Sequence, residues 1–246
     1  MNPIEYERMY RVEDRHWWYA GMREIASAFL PHTITDHTIL DAGCGTGRNL
    51  ALLRQKSTPA PTVIGIDYSA LALQFAQQRQ TPRLANANVL ELPFATATFD
   101  LVTSFEVLYH AAVTDDVAAL REFHRVLKPS GYLLIRLPAH RWLSSHHDRA
   151  VHTARRYTPP ELGTKLQTAG FKVQRLSYAN VALFPLAVIK RLTEPIMPVS
   201  ANDSDLEIKS QWINHLMHRI LSAEAQLLRQ IDCPIYGLSV IALAQK

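Results

Sequence analysis

From Thr38 to Leu137 short apolar runs alternate with helical stretches. Residues 39–42, 63–67, 83–86, 99–104 and 132–137 read as strands. Residues 48–55, 69–79 and 115–127 read as helices, the last stopped by Pro129 and Gly131. The strands are apolar on both faces rather than alternating, and helices separate them. That pattern predicts a parallel sheet covered on both sides, an α/β doubly wound architecture.

Beyond Leu137 the rhythm changes. Residues 138–157 are polar, rich in His and Arg, and read as irregular. Thr158-Pro159-Pro160-Glu161 opens a helix, with Thr at the N-cap, prolines in the first turn and an acid at the third position. Gly170 ends it. Residues 171–178 alternate like a half-exposed strand, and 236–244 form a last apolar strand. The segment between these two is too long for a hairpin loop. It carries a predicted helix at 181–192, breakers at Pro195 and Pro198, and a long helix at 205–230 with Trp212, Ile213, Leu216, Met217, Ile220 and Leu221 at helical spacing. Seven strands result, the last two antiparallel partners around a helical insertion. The first 30 residues read as helical.

Composition adds little to this and removes much. The chain has 246 residues, 48% hydrophobic and 20% charged, which excludes a disordered or collagen-like polymer. There are 26 Lys+Arg against 22 Asp+Glu, a net +4 spread without a basic block, so no nucleic-acid partner is expected. Two cysteines, Cys44 and Cys233, make no disulfide framework. No signal-peptide pattern and no transmembrane-length apolar run is found, so a cytoplasmic protein is expected. We divide the single expected domain, 1–246, into an N-terminal helical cap (1–34), a cofactor-binding core (35–137), an acceptor-side loop with the sixth strand and helical insertion (138–235), and the last strand (236–246).

Glycine is scarce, nine in all, yet Gly43, Gly45 and Gly47 fall together in Leu40-Asp41-Ala42-Gly43-Cys44-Gly45-Thr46-Gly47. The cluster follows a strand and opens a helix, where glycines let the backbone turn sharply and approach a ligand. A dinucleotide fingerprint would need glycine where Arg48 stands, and no Gly-Lys-Ser/Thr of a phosphate loop is present. Asp41, just before the glycines, would repel a pyrophosphate. Asp67 ends the next strand, where a carboxylate accepts both hydroxyls of a ribose. The ligand therefore carries a ribose and lacks a pyrophosphate, and S-adenosyl-L-methionine fits.

The segment 41–47 resembles the first motif of class I S-adenosylmethionine-dependent methyltransferases, and Asp67 their second-strand acid. Leu92-Pro93-Phe94 with Phe99-Asp100-Leu101-Val102 resembles their third and fourth strand region. Leu127-Lys128-Pro129-Ser130-Gly131-Tyr132 resembles the turn before their fifth strand. The resemblance implies a Rossmann-like sheet of order 3-2-1-4-5-7-6 with strand 7 antiparallel. His16-Trp17-Trp18-Tyr19 with Arg23, and His147-Asp148-Arg149 with His152 and Arg155-Arg156-Tyr157, are similar to a bacterial type 11-like branch, as are residues 180–185 and 234–239. On this basis the expected cofactor residues are Trp18, Arg23, Asp41, Gly43, Gly45, Asp67, Tyr68, Asn88, Val89, Ser104 and Phe105. Asn88 stands where the family often has an acid facing the adenine amino group, and its side-chain carbonyl can accept the same bond.

Methyl transfer from a sulfonium is an in-line displacement in which the enzyme mainly positions and desolvates the acceptor. A carboxylate acceptor needs no base, whereas a hydroxyl usually does. His110, His147 and His152 are the candidate bases, because an imidazole titrates near neutrality. Asp148 would orient a ring or pair with an arginine. No metal site is expected, as neither HExxH spacing nor a companion cysteine is present. The expected acceptor is a small molecule or a peptide- or lipid-like compound, with O-methylation favoured over N or C. The alternative is a non-catalytic cofactor-binding protein. Either a monomer or a homodimer is compatible with the long helix around Trp212.

Overall fold

A computed structural model describes residues 3–31, 37–54, 60–79, 83–144, 151–193, 210–233 and 235–246. The central strands are β1 (Thr38–Ala42), β2 (Thr62–Asp67), β3 (Leu84–Asn86), β4 (Phe99–Phe105) and β5 (Leu127–Pro138). All five run parallel, and they join β6 (Lys172–Ala179) and β7 (Ser239–Gln245) in one seven-stranded sheet of order β3-β2-β1-β4-β5-β7-β6. Strand β7 is antiparallel to both neighbours, β5 and β6. The order and sense implied by the resemblance are those observed.

Helices cover both faces, as the two-sided apolar strands require. Alternate side chains of β1, β4, β5 and β7 feed two separate cores. On one face Leu40, Val102, Ile135 and Ala242 pack with Leu120 and Phe123 of α5 (Asp116–Val126) and Leu162 and Leu166 of α6 (Pro159–Thr168). On the other, Ile39, Leu101, Leu134 and Ile241 meet α2 (Trp17–Phe29), α3 (Arg48–Arg54), α4 (Ala70–Gln78) and α8 (Gln211–Leu228).

Helix α2 is therefore a layer of the sheet's own core. Met22, Ile25 and Phe29 are buried there, each worth about 1.5–3 kcal/mol. Helix α8 crosses α2 so closely at Gly21 that a Cβ there would meet Leu221 Cβ at 2.5 Å. Helix α1 (Pro3–Val12) lies further out, against α4, where the Tyr10 and Phe75 rings are 5.0 Å apart.

Some boundaries differ from the sequence pattern. Helix α5 ends at Val126 and β5 already begins at Leu127, pairing with Phe99 before a bulge carries the register past Pro129 and Gly131. Helix α7 (Phe184–Thr193) starts later than expected. Asn180 sits at φ 57 and the chain first turns through 181–183, where the Glu224 carboxylate of α8 accepts hydrogen bonds from the Val181 and Ala182 N–H groups. The expected start of the long helix at 205, Pro195, Pro198, His146, His147 and Asp148 lie outside the described residues.

Candidate active site

The carboxyl ends of β1, β2, β4 and β5 open onto a cleft of about 1040 Å³. Its position is the one that parallel sheets favour, where the strand order reverses beside β1. The glycine turn forms the floor. Gly43 has φ +88, and a Cβ on it would meet Val107 Cγ2 at 2.1 Å, so this position accepts only glycine as built. The Gly43 and Cys44 N–H groups donate to the Ile66 carbonyl, 2.8 Å each, tying the turn to β2.

Asp67 reinforces that tie. Its Oδ2 accepts from Gly45 N at 2.9 Å and its Oδ1 from Ser69 N at 2.8 Å. Burial pushes its carboxyl up, against the pull of these two backbone bonds. Each oxygen keeps a lone pair for a further donor. Around it Tyr6, Tyr68, Asn88 and Val89 line the cleft. Tyr68 is 71% exposed. Asn88 Oδ1 accepts from Leu90 N at 3.0 Å, so its side chain also closes a turn.

Of the expected cofactor residues, Trp18, Arg23, Gly43, Gly45, Asp67, Tyr68, Asn88, Val89 and Phe105 line this one cleft. Asp41 and Ser104 do not: both are interior strand residues, 1% and 0% exposed, one layer below the wall. Asp41 Oδ1 accepts from Thr103 Oγ1 at 2.8 Å, while Oδ2 is buried without a partner. Full burial raises the Asp41 carboxyl to about 7. The Ser104 hydroxyl is likewise buried without a partner. An orphaned carboxylate oxygen behind a glycine turn suits a ligand with a cationic or donor group.

Helix α1 closes one side of the cleft. Glu13 is buried and bonded to Thr46 Oγ1, and it pairs with Arg79 at 2.9 Å. Arg79 also bonds the Thr46 and Tyr10 carbonyls and Asp14, and lies 4.6 Å over the Tyr10 ring. Arg23 Nη1 donates to the Glu13 carbonyl, and burial lowers its guanidinium to about 10.

The far end of the cleft is built on β4 and β5. Phe105 and Arg136 are in register at the strand ends. Glu106 follows at φ 57 and its Oε1 accepts from Arg136 Nε at 3.0 Å. Arg136 Nη1 donates to the Met22 carbonyl, and the guanidinium lies 5.6 Å from the Trp18 ring and 5.1 Å from the Phe105 ring. Sequence reading took Arg136 as an ordinary strand residue. The available signal was a lone arginine inside the apolar run 132–137.

His110 and His152 both line this end, their rings 5.7 Å apart. His110 Nδ1 accepts from Ala112 N at 3.0 Å, so its neutral ring carries the proton on Nε2. Burial holds the ring below the usual histidine range, which keeps it neutral. His110 thus presents a donor, rather than the lone pair expected of a base. His152 is exposed, at φ 55. Among the described residues no group of three or more His, Cys, Asp or Glu side chains is arranged to hold a metal, and no helix is long and apolar enough to cross a membrane.

The seven-stranded sheet, with its antiparallel β7, has the fold of solved S-adenosylmethionine-dependent methyltransferases. Residues 40–135 match the family described as "Methyltransferase domain". The chain is 32% identical over 168 residues to a "Probable S-adenosylmethionine-dependent methyltransferase" of Mycolicibacterium smegmatis, covering 66% of this chain and 62% of the relative. It is 36% identical over 141 residues to a demethylmenaquinone methyltransferase of Lactiplantibacillus plantarum, covering 52% and 56%. The chain thus spans less than two thirds of the length of these curated relatives. An S-adenosylmethionine-dependent methyltransferase from Mesorhizobium loti superposes with a TM-score of 0.62 at 17% identity, covering 95% of this chain and 100% of that one.

Proposed function

We propose that the chain transfers the methyl group of S-adenosylmethionine to an oxygen of a small or medium-sized organic acceptor. The observation that carries this reading is the Asp67 carboxylate, which pins the glycine turn through Gly45, caps the next turn through Ser69 and lines the cleft. When bound, the cofactor supplies an already activated methyl group on a sulfonium.

Asp67 holds the ribose hydroxyls, and Tyr68, Asn88 and Val89 flank the adenine. Gly43 and Gly45 let the chain approach the amino-acid part. Asp41 acts from beneath on its ammonium, and Arg23 faces its carboxylate. Trp18 and Phe105 exclude water beside the methyl site, with the Ser104 hydroxyl behind Phe105. A hydroxyl acceptor would take His152 as its base, with His110 donating a hydrogen bond; the contribution of His147 lies with residues outside those described. An amine acceptor is disfavoured, because Glu106, the one acid lining this end among the described residues, is already paired with Arg136.

Calorimetry should find one S-adenosylhomocysteine site per chain. Asp67→Ala should weaken it by about 1.5–3 kcal/mol, the scale of hydrogen bonds to a charged group. Equal affinity in the variant, or tighter binding of NAD, would falsify the ribose assignment.

A further inference from the structure

Both signs of charge line each end of the cleft, but their balance differs between the ends. Around the glycine turn the described lining residues carry Glu5, Glu13 and Asp67 against Arg23 and Arg48, so 2 − 3 = −1. At the β4–β5 end they carry Arg136 and Arg156 against Glu106, so 2 − 1 = +1 with histidines neutral. The first sign suits a ligand bearing a sulfonium and an ammonium. The second suits an anion. The two ends are separated by sheet geometry, since β5 lies two strands from β1 and three from β2, roughly 10 and 14 Å at ordinary strand spacing.

Arg136 is the group best built to meet that anion. It is 6% exposed, its Nε is fixed by Glu106, its Nη1 by the Met22 carbonyl, and its plane by Trp18 and Phe105. Its Nη2 has no hydrogen-bond partner among the described residues, and the residue lines the cleft. A buried guanidinium that keeps one nitrogen for the cleft is held for a ligand oxygen. Tyr109, Val113, Leu143, Val151, Ala187 and Leu238 give this end apolar surface, beside the polar Thr153, Asn180 and Ser239.

Resting on the methyl-transfer reading above, we infer that the acceptor is an organic acid with an apolar body, methylated on its carboxylate, and that Arg136 Nη2 binds that carboxylate. A carboxylate oxygen supplies the electron pair for the new O–CH3 bond. The CH3–S bond breaks and its pair stays on sulfur. The negative acceptor and the positive sulfonium become a neutral ester and a neutral thioether. No proton moves, so no lone pair on His110 is required. Opposite charges that cancel in the transition state gain from a site that excludes water.

The test uses the chain loaded with S-adenosylhomocysteine and titrated with straight-chain and aromatic carboxylic acids, each beside its primary amide and alcohol. At least one acid should bind, with its neutral counterparts weaker by about tenfold or more, equal to about 1.4 kcal/mol. Arg136→Gln should lose about tenfold for the acid while S-adenosylhomocysteine binds within about threefold of wild type. The double variant Arg136→Gln, Glu106→Gln removes both buried charges together. It should give the same result if the single variant folds poorly. In turnover with methyl-labelled cofactor, the product label should be released as methanol by alkali, as from an ester, and the Arg136 variants should raise KM for the acid more than they lower kcat. Equal binding of the amides, no acid bound at about 10 mM, or an alkali-stable label would overturn the acid assignment and leave the methyl-transfer reading standing. Loss of S-adenosylhomocysteine rather than acid in the Arg136 variants would reassign the guanidinium to the cofactor's own carboxylate. Failure of the wild type to bind S-adenosylhomocysteine would remove the cofactor reading itself.

Discussion

Asp41 is a fully buried acid with one oxygen lacking a partner. Its pKa rises from 3.8 to about 7 because burial penalises its charged form. Between those values the folded chain retains a proton that the unfolded chain releases. Stability therefore falls as pH rises through that window, and the cost is complete above about pH 7. Asp41→Asn should remove this cost, raising the stability of the unliganded protein at pH 8 by about 1–3 kcal/mol and flattening the fall in thermal midpoint between pH 5 and 8. The same variant should bind S-adenosylhomocysteine less tightly, because the amide presents no charge to the ligand's ammonium. A variant that is both more stable and equally tight would leave Asp41 as a buried defect without purpose. The Asp41–glycine segment and Asp67 were legible because composition and spacing mark them within a single strand–turn–helix. The Glu106–Arg136 pair was not, since the partners lie 30 residues apart and meet only through the β4–β5 register.

Helix α1 is held less by apolar burial than by one arginine. Arg79, at the C-cap of α4, bonds Glu13, Asp14 and the Tyr10 carbonyl on the far side of the cleft mouth. Arg79→Ala would leave the buried Glu13 carboxylate without that partner, a cost of about 1–3 kcal/mol set against the docking of a short helix. Trypsin should then cut after Arg8, Arg11 and Arg15 faster than in wild type, and S-adenosylhomocysteine should slow the cleavage less. Unchanged cleavage would mean that the contacts of Tyr10 with Phe75 hold α1 unaided. The helical character of the first 30 residues was readable from their pattern. Their division was not, because α2 differs from α1 in what it packs against rather than in its periodicity. The later start of α7 had the same origin: Glu224 caps the 181–183 turn from another helix, a contact with no local signal.

At the scale of the whole chain, the two-sided apolar strands determined the layers, and the long gap before the last strand announced that β6 and β7 could not form a simple hairpin. The cleft depends on these layers together, with walls from β1, β2, β4 and β5 and from α1 and α2. A ligand that fills it should therefore stabilise the entire fold. S-adenosylhomocysteine at about 100 times its dissociation constant should add about 2.7 kcal/mol, a rise of roughly 5–10 °C in thermal midpoint, and NAD should add nothing comparable. A midpoint that does not move with S-adenosylhomocysteine would separate the cleft from the cooperative core. The placement of β7 between β5 and β6 also has a meaning in time. During synthesis β6 emerges with its seat on the sheet still missing, because only residues 239–245 can join it to β5. At about 5–20 residues per second the ribosome needs several seconds to deliver them. Until then β6 is an unpaired edge that must be shielded from other chains.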